Sequence, residues 1–120
     1  RMDGLFGPGR AVPGTDLDAT MAEADGVINA TTIGMTGHRA GSCVPAGLFR
    51  PDMWVADCVY LPVETQLILD GKAAGCRTLT GVAMVMEQAV EAFRIFTDVE
   101  PDAEYAYQAI DQLLGAKTQR

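Results

Sequence analysis

The sequence predicts an α/β fold built on a short parallel sheet. Three observations carry that prediction. Strand-length apolar runs alternate with stretches of helical period, an order that places parallel strands under covering helices. The run Met53–Val59 is nearly continuous in apolar residues, which suits a strand covered on both faces. Strand ends lead into helix starts, through a short turn to Thr65 and at the junction Gly81.

Residues 1–14 are rich in glycine and proline and read as a turn-rich entry with no element of its own. Thr15 is placed to N-cap a short helix, Asp16–Ala24, whose first turn holds Asp16 and Asp18, where the dipole favours acids. Gly26–Ala30 reads as a short strand. Residues 31–52 read as loop, broken by Gly34, Gly37, Gly41, Pro45, Gly47 and Pro51. After the strand Met53–Val59, Thr65 caps a helix through Ala74, and Gly75 ends it. Gly71 inside that helix costs about 1 kcal/mol against alanine, so the helix must lean on packing. Arg77–Thr80 is the third strand. Val82, Val85, Met86, Ala89, Phe93 and Phe96 then recur at helical spacing and form one stripe, with Glu87, Glu91, Arg94 and Asp98 opposite. Pro101 sits where a last helix can start, with Ala103, Ala106, Tyr107, Ile110, Leu113 and Leu114 as its stripe. The final GAKTQR is expected to fray. Three strands make a thin sheet, and the chain reads as the second half of something larger.

The chain has 120 residues, 48% of them hydrophobic, enough to bury a core. A formal charge of -7 makes nucleic acid an unfavourable partner. No apolar run approaches the roughly 20 residues that span a bilayer, so no membrane partner is expected. The opening RMDGLFGPGR lacks a signal-peptide pattern. Cys43, Cys58 and Cys76 are odd in number, widely spaced and without a CxxC pair, and His38 is the sole histidine. Neither a disulfide framework nor a metal site is expected, and reduced thiols in a cytoplasmic protein fit best. Lys72 and Lys117, the only lysines, fall on expected outer surfaces and offer no buried general base.

Gly7-Pro8-Gly9 fails as a phosphate loop, because no strand precedes it and Val12 stands where a third glycine is needed. Asn29-Ala30-Thr31-Thr32-Ile33-Gly34-Met35 is more informative. In open α/β sheets ligands bind outside the carboxyl ends of strands, and this stretch offers amide and hydroxyl groups there, with Gly34 permitting close backbone approach. At the end of the neighbouring strand lies DCVYLPVET, residues 57–65. Tyr60 can project a phenol over the rim, Pro62 pre-sets a turn, and a buried Asp57 must be paired with backbone or hydroxyl donors. Gly81 stands at the third strand-to-helix junction, and Gln88 lies off the apolar stripe of that helix.

The stretches VINATTIGM, VADCVYLPVET, AGCRTLTGVAM and MEQAVEAFRIFTDVEPD together resemble the C-terminal part of the shikimate/quinate dehydrogenase family. The resemblance covers about Ala22 to Asp102. It implies the C-terminal half of a Rossmann-like parallel sheet with flanking helices. Residues 1–14 would then be a remnant of the upstream cofactor domain, 15–100 the C-terminal half of that domain, and 101–120 a C-terminal helix and tail. The resemblance also implies reversible hydride transfer between NAD or NADP and a ring alcohol of shikimate or quinate, in the aromatic amino-acid or quinate pathway. Asn29, Ala30, Thr31, Thr32, Gly34 and Met35 would line the nicotinamide side. Cys58 would abut the nicotinamide, and Gly81 would meet its amide through a carbonyl. Tyr60 and Gln88 would hydrogen-bond the substrate. The family's catalytic Lys–Asp pair and its glycine-rich phosphate loop would lie upstream of Arg1, so this chain by itself would hold no catalytic residue and would need that N-terminal part. The contrasting reading is a non-catalytic, metabolite-sensing relative that keeps Tyr60 and Gln88 for binding alone.

Overall fold

The computed structural model describes residues 11–118; Gly7-Pro8-Gly9 and the last two residues of the tail lie outside the described residues. The elements are α1 (Leu17–Glu23), β1 (Gly26–Asn29), a 3-10 turn (Ala46–Leu48), β2 (Trp54–Asp57), α2 (Gln66–Ala73), β3 (Arg77–Leu79), α3 (Gly81–Thr97) and α4 (Ala103–Thr118). The strands form one parallel sheet in the order β1-β2-β3. Asn29 lies beside Asp57, and Ala56 beside Leu79. Because every strand runs the same way, all three carboxyl ends emerge on one edge.

Alternation along the strands sorts the side chains onto two faces. Val27, Asn29, Val55, Asp57 and Thr78 share the face on which α2 lies. Met21, Val44, Phe49, Met53, Val55, Leu67 and Ile68 form the core there. The packing that Gly71 must lean on is close at hand: a Cβ on it would stand 3.0 Å from Val55 Cγ2 and 3.5 Å from Thr78 Cγ2. Thr65 caps α2 as expected, its hydroxyl accepting from the Ile68 N–H, and Gly75 follows in the left-handed region at φ 82°.

Several expectations need correction. The N-cap of α1 is Asp16, whose carboxylate accepts from the Ala19 N–H, so Thr15 lies outside. The middle strand is covered on one face only. Ile28, Trp54 and Leu79 on the other face remain 60%, 37% and 55% exposed, since no described element lies over them. The stripe of α3 is mostly uncovered: Met86 is buried, but Ala89 and Phe93 are exposed and Phe96 is 86% exposed. The helix meets the sheet at its start and then runs on beside α4, and among the described residues no element covers Phe93 or Phe96. Finally, α4 continues through Gly115 to Thr118, into the stretch read as tail. That helix starts after Asp102, whose carboxylate accepts from the Tyr105 N–H, rather than at Pro101. Leu113, placed on the stripe of this helix, is exposed.

Glu87, expected on the outer side of α3, instead accepts a 2.5 Å hydrogen bond from the Tyr107 hydroxyl of α4. At the opposite end of the chain, Arg50 closes α1. Its Nη1 donates to the Met21 carbonyl at 2.5 Å and its Nη2 to that of Ala24 at 2.8 Å. The three cysteines are free thiols, each half-buried. Burial pushes the Cys43 and Cys76 thiols above the ordinary range. No helix among the described residues is long and apolar enough to cross a membrane.

Candidate functional site

The carboxyl edge of the sheet is organised by one buried carboxylate. Asp57, the last residue of β2, is 3% exposed. Its Oδ1 accepts from Asn29 Nδ2 at 3.0 Å and from the Val59 N–H at 2.9 Å, and its Oδ2 from the Thr65 hydroxyl at 2.5 Å. These are the backbone and hydroxyl donors that the sequence demanded of a buried Asp57, with an amide added. Desolvation would otherwise expel such a charge.

Asn29 is spent within the same network. Its Nδ2 also donates to the Ile33 carbonyl at 3.1 Å, and its Oδ1 accepts from the Thr31 N–H at 3.0 Å and the Thr31 hydroxyl at 2.7 Å. The side chain therefore folds the loop that follows β1 and has no amide hydrogen left over for a ligand. Within that loop Gly34 adopts φ 88°, a conformation glycine tolerates best. Its N–H donates to the Arg39 carbonyl at 2.8 Å. Ala30, Thr31 and Thr32 are exposed, and Gly34 and Met35 are half-buried.

The β2 turn is tied to this loop twice. The Cys58 N–H donates to the Asn29 carbonyl and the Thr36 N–H to the Leu61 carbonyl, both at 2.9 Å. The Leu61–Pro62 peptide is cis. Tyr60, between these ties, is 42% exposed, and its hydroxyl makes no hydrogen bond among the described residues.

The third contribution to the edge is the start of α3. A Cβ on the buried Gly81 would stand 2.4 Å from the Val59 carbonyl oxygen and 2.9 Å from that of Asp57. Only the missing side chain lets the helix start sit against the β2 turn. Thr80, its N-cap, makes no side-chain cap bond. Gln88 lies two turns along α3, exposed, and its side chain makes no hydrogen bond among the described residues.

Asn29 through Met35, Cys58, Tyr60 and Gly81 thus share one edge, while Gln88 stands beyond it on the helix. The sequence reading missed how they are joined. The joint is Asp57 with Thr65, whose only sequence signal is an acid closing an apolar strand eight residues before a helix cap. His38 is exposed in the loop, and Lys72 is exposed and paired with Glu64. No group of three potential metal ligands exists among the described residues.

No protein-family model matches the chain. A quinate/shikimate dehydrogenase (NAD(+)) from Corynebacterium efficiens is 50% identical over 97 residues, which is 78% of this chain and 34% of that protein. A shikimate dehydrogenase (NADP(+)) from Streptomyces avermitilis is 43% identical over 117 residues, 96% of this chain and 40% of that protein. Among solved structures, the quinate dehydrogenase from Corynebacterium glutamicum in complex with NAD superposes with a TM-score of 0.75 at 42% identity, over 80% of this chain and 34% of that one. The chain therefore spans between a third and two fifths of the length of these relatives. Over that span, by sequence and by its Rossmann-like parallel sheet, the chain belongs to the shikimate/quinate dehydrogenase family.

Proposed function

We propose that the chain is part of an oxidoreductase that moves a hydride between NAD or NADP and a ring alcohol of shikimate or quinate. The observation that carries the reading is the meeting of three segments at one edge: the Asn29–Met35 loop, the Cys58–Tyr60 turn and the Gly81 helix start. Residues 15–100 would serve the cofactor-binding unit, and 101–120 would follow as its C-terminal helix.

The edge suits a flat, amide-bearing ring. It combines exposed loop backbone, an exposed phenol and a helix start whose N-cap side chain makes no cap bond. When bound, the nicotinamide supplies the carbon that takes or gives the hydride. The roles of this chain are to bind and orient. Asn29 acts by folding the loop, so that Ala30, Thr31, Thr32, Gly34 and Met35 face the ring with backbone and hydroxyl groups. Cys58 has committed its N–H to Asn29, leaving its carbonyl and thiol for contact. Gly81 offers its carbonyl. Tyr60 and, further out, Gln88 hydrogen-bond the ring substrate.

No side chain on this edge is placed to take the substrate proton. Asp57 is buried under three donors, Lys72 is exposed and paired with Glu64, and His38 is exposed in the loop. The proton would therefore pass to the family's Lys–Asp pair, which this chain does not supply.

The test is a chimera in which this chain replaces the matching segment of the Corynebacterium glutamicum quinate dehydrogenase. The chimera is expected to oxidise quinate or shikimate with NAD or NADP, whereas the 120-residue chain alone turns over neither. Tyr60→Phe in the chimera should raise the ring-substrate KM about fivefold, the worth of one hydrogen bond, with the cofactor KM unchanged. A folded chimera without turnover, or turnover by the chain alone, would overturn the proposal.

A further inference from the structure

We infer that Asp57 is a positioning residue that sets the geometry of the whole carboxyl edge, and through it the affinity for the ring substrate. The inference rests on the dehydrogenase reading above. It assigns a role to a residue that touches neither cofactor nor substrate in that reading.

The case is one of connectivity. Three segments that reach the edge each hang on this carboxylate by a single hydrogen bond. Asn29 carries the loop through its bonds to Thr31 and Ile33. The Val59 N–H carries the turn that presents Tyr60. Thr65 carries the start of α2, where its hydroxyl also caps Ile68. The fourth segment, the start of α3, rests on the backbone of the same stretch, since Gly81 abuts the carbonyls of Asp57 and Val59.

An amide in place of the carboxylate would keep the shape and reverse part of the chemistry. Two acceptor oxygens of Asp57 serve three donors, and Asp57→Asn would turn an N–H₂ group toward one of those donors. Turned toward Asn29, that group faces a second donor and the two amides must part; turned toward Thr65, it makes that hydroxyl an acceptor and leaves the hydroxyl proton without its present partner. The core lies on the inner side of this joint and meets it through a single bond, the Ile68 N–H cap onto the Thr65 hydroxyl. Displacement at the joint is therefore expected to reach the edge before it reaches the core.

Two readouts test this. In the chimera, Asp57→Asn and Thr65→Val are each expected to raise the ring-substrate KM about tenfold while kcat at saturation falls less than about threefold. Thr65→Ser, which keeps the hydroxyl, should stay within about twofold of the parent on both. A purely structural role would instead lower kcat with the folded fraction and leave KM unmoved. That result, or failure of Thr65→Ser to retain parental values, overturns the inference.

The second readout needs no activity. Hydrogen exchange is followed by mass spectrometry on the ligand-free full chain. Asp57→Asn should speed exchange in peptides spanning 30–36 and 58–66 and leave those spanning 17–28 unchanged. Uniform acceleration, or none at the edge, overturns the inference. Should the parent chimera lack activity, the dehydrogenase reading falls, and the exchange data still decide whether Asp57 holds the edge.

Discussion

A methyl group on Gly81 would lie 2.4 Å from the Val59 carbonyl oxygen, closer than any real carbon–oxygen contact. Backbone on both sides leaves nothing flexible to yield. Gly81→Ala is expected to destabilise the fold by about 2 kcal/mol, read from the urea midpoint, because α3 must lift off the strand end. Gly71 poses a finer contest. Alanine there gains about 1 kcal/mol in helix propensity. Its Cβ would meet Val55 Cγ2 at 3.0 Å, and Val55 is fully buried and cannot rotate away. Overpacking of this kind costs about 1–3 kcal/mol, so Gly71→Ala should lower the melting temperature despite the better propensity. Residues of this scale also mark where sequence reading stops. Asn29 stands where a ligand-facing amide was expected, yet all its hydrogen-bonding capacity is used by its own loop and by Asp57. Residue type and position could place it on the edge; only the neighbours decide which way the amide looks.

Some element boundaries were legible because they have a local chemical cause, whereas the starts of α1 and α4 were set by Asp16 and Asp102 in place of the caps expected. Thr65 and Gly75 mark the two ends of α2, and β1, β2 and β3 fall inside the runs that the apolar pattern marked. Period, however, tells which side of an element is apolar and not what covers it. Phe93 and Phe96 keep helical spacing and remain exposed. Arg50 was illegible for another reason, since it joins α1 to a loop 26–29 positions away and leaves no pattern. Arg50→Ala is expected to cost about 1.5 kcal/mol by chemical unfolding, as charge-assisted bonds to two helix-end carbonyls are lost. The α3–α4 joint makes a pH prediction. The hydrogen bond to Glu87 holds the Tyr107 phenol protonated and raises its pKa above the ordinary tyrosine value. A raised folded pKa means a contribution intact below the unfolded value and lost as pH rises through the folded one. The docking of α4 should thus weaken above about pH 10, measured by circular dichroism against urea, and Tyr107→Phe should remove that dependence.

For the whole molecule the governing feature is the open face of the sheet. Ile28, Trp54, Ala56 and Leu79 line a shallow apolar groove there, with Arg77 at its side. Apolar surface of this kind favours association, while a net charge of -7 opposes it. Salt screens the repulsion and leaves the apolar attraction. Sedimentation velocity should therefore show the chain growing in mass from low to high salt. Ile28→Lys with Leu79→Lys should suppress that growth while changing stability by about 0.5 kcal/mol or less, as befits exposed positions. The same face holds the molecule's sole tryptophan. Trp54 lies flat over Gly26, so close that a Cβ there would overlap its indole ring at 2.2 Å. Its environment is thus fixed on the inner side by backbone and open to water on the outer side. Indole emission moves to shorter wavelength when water leaves, so the protein carries its own lamp, whose colour reports when anything settles on that face.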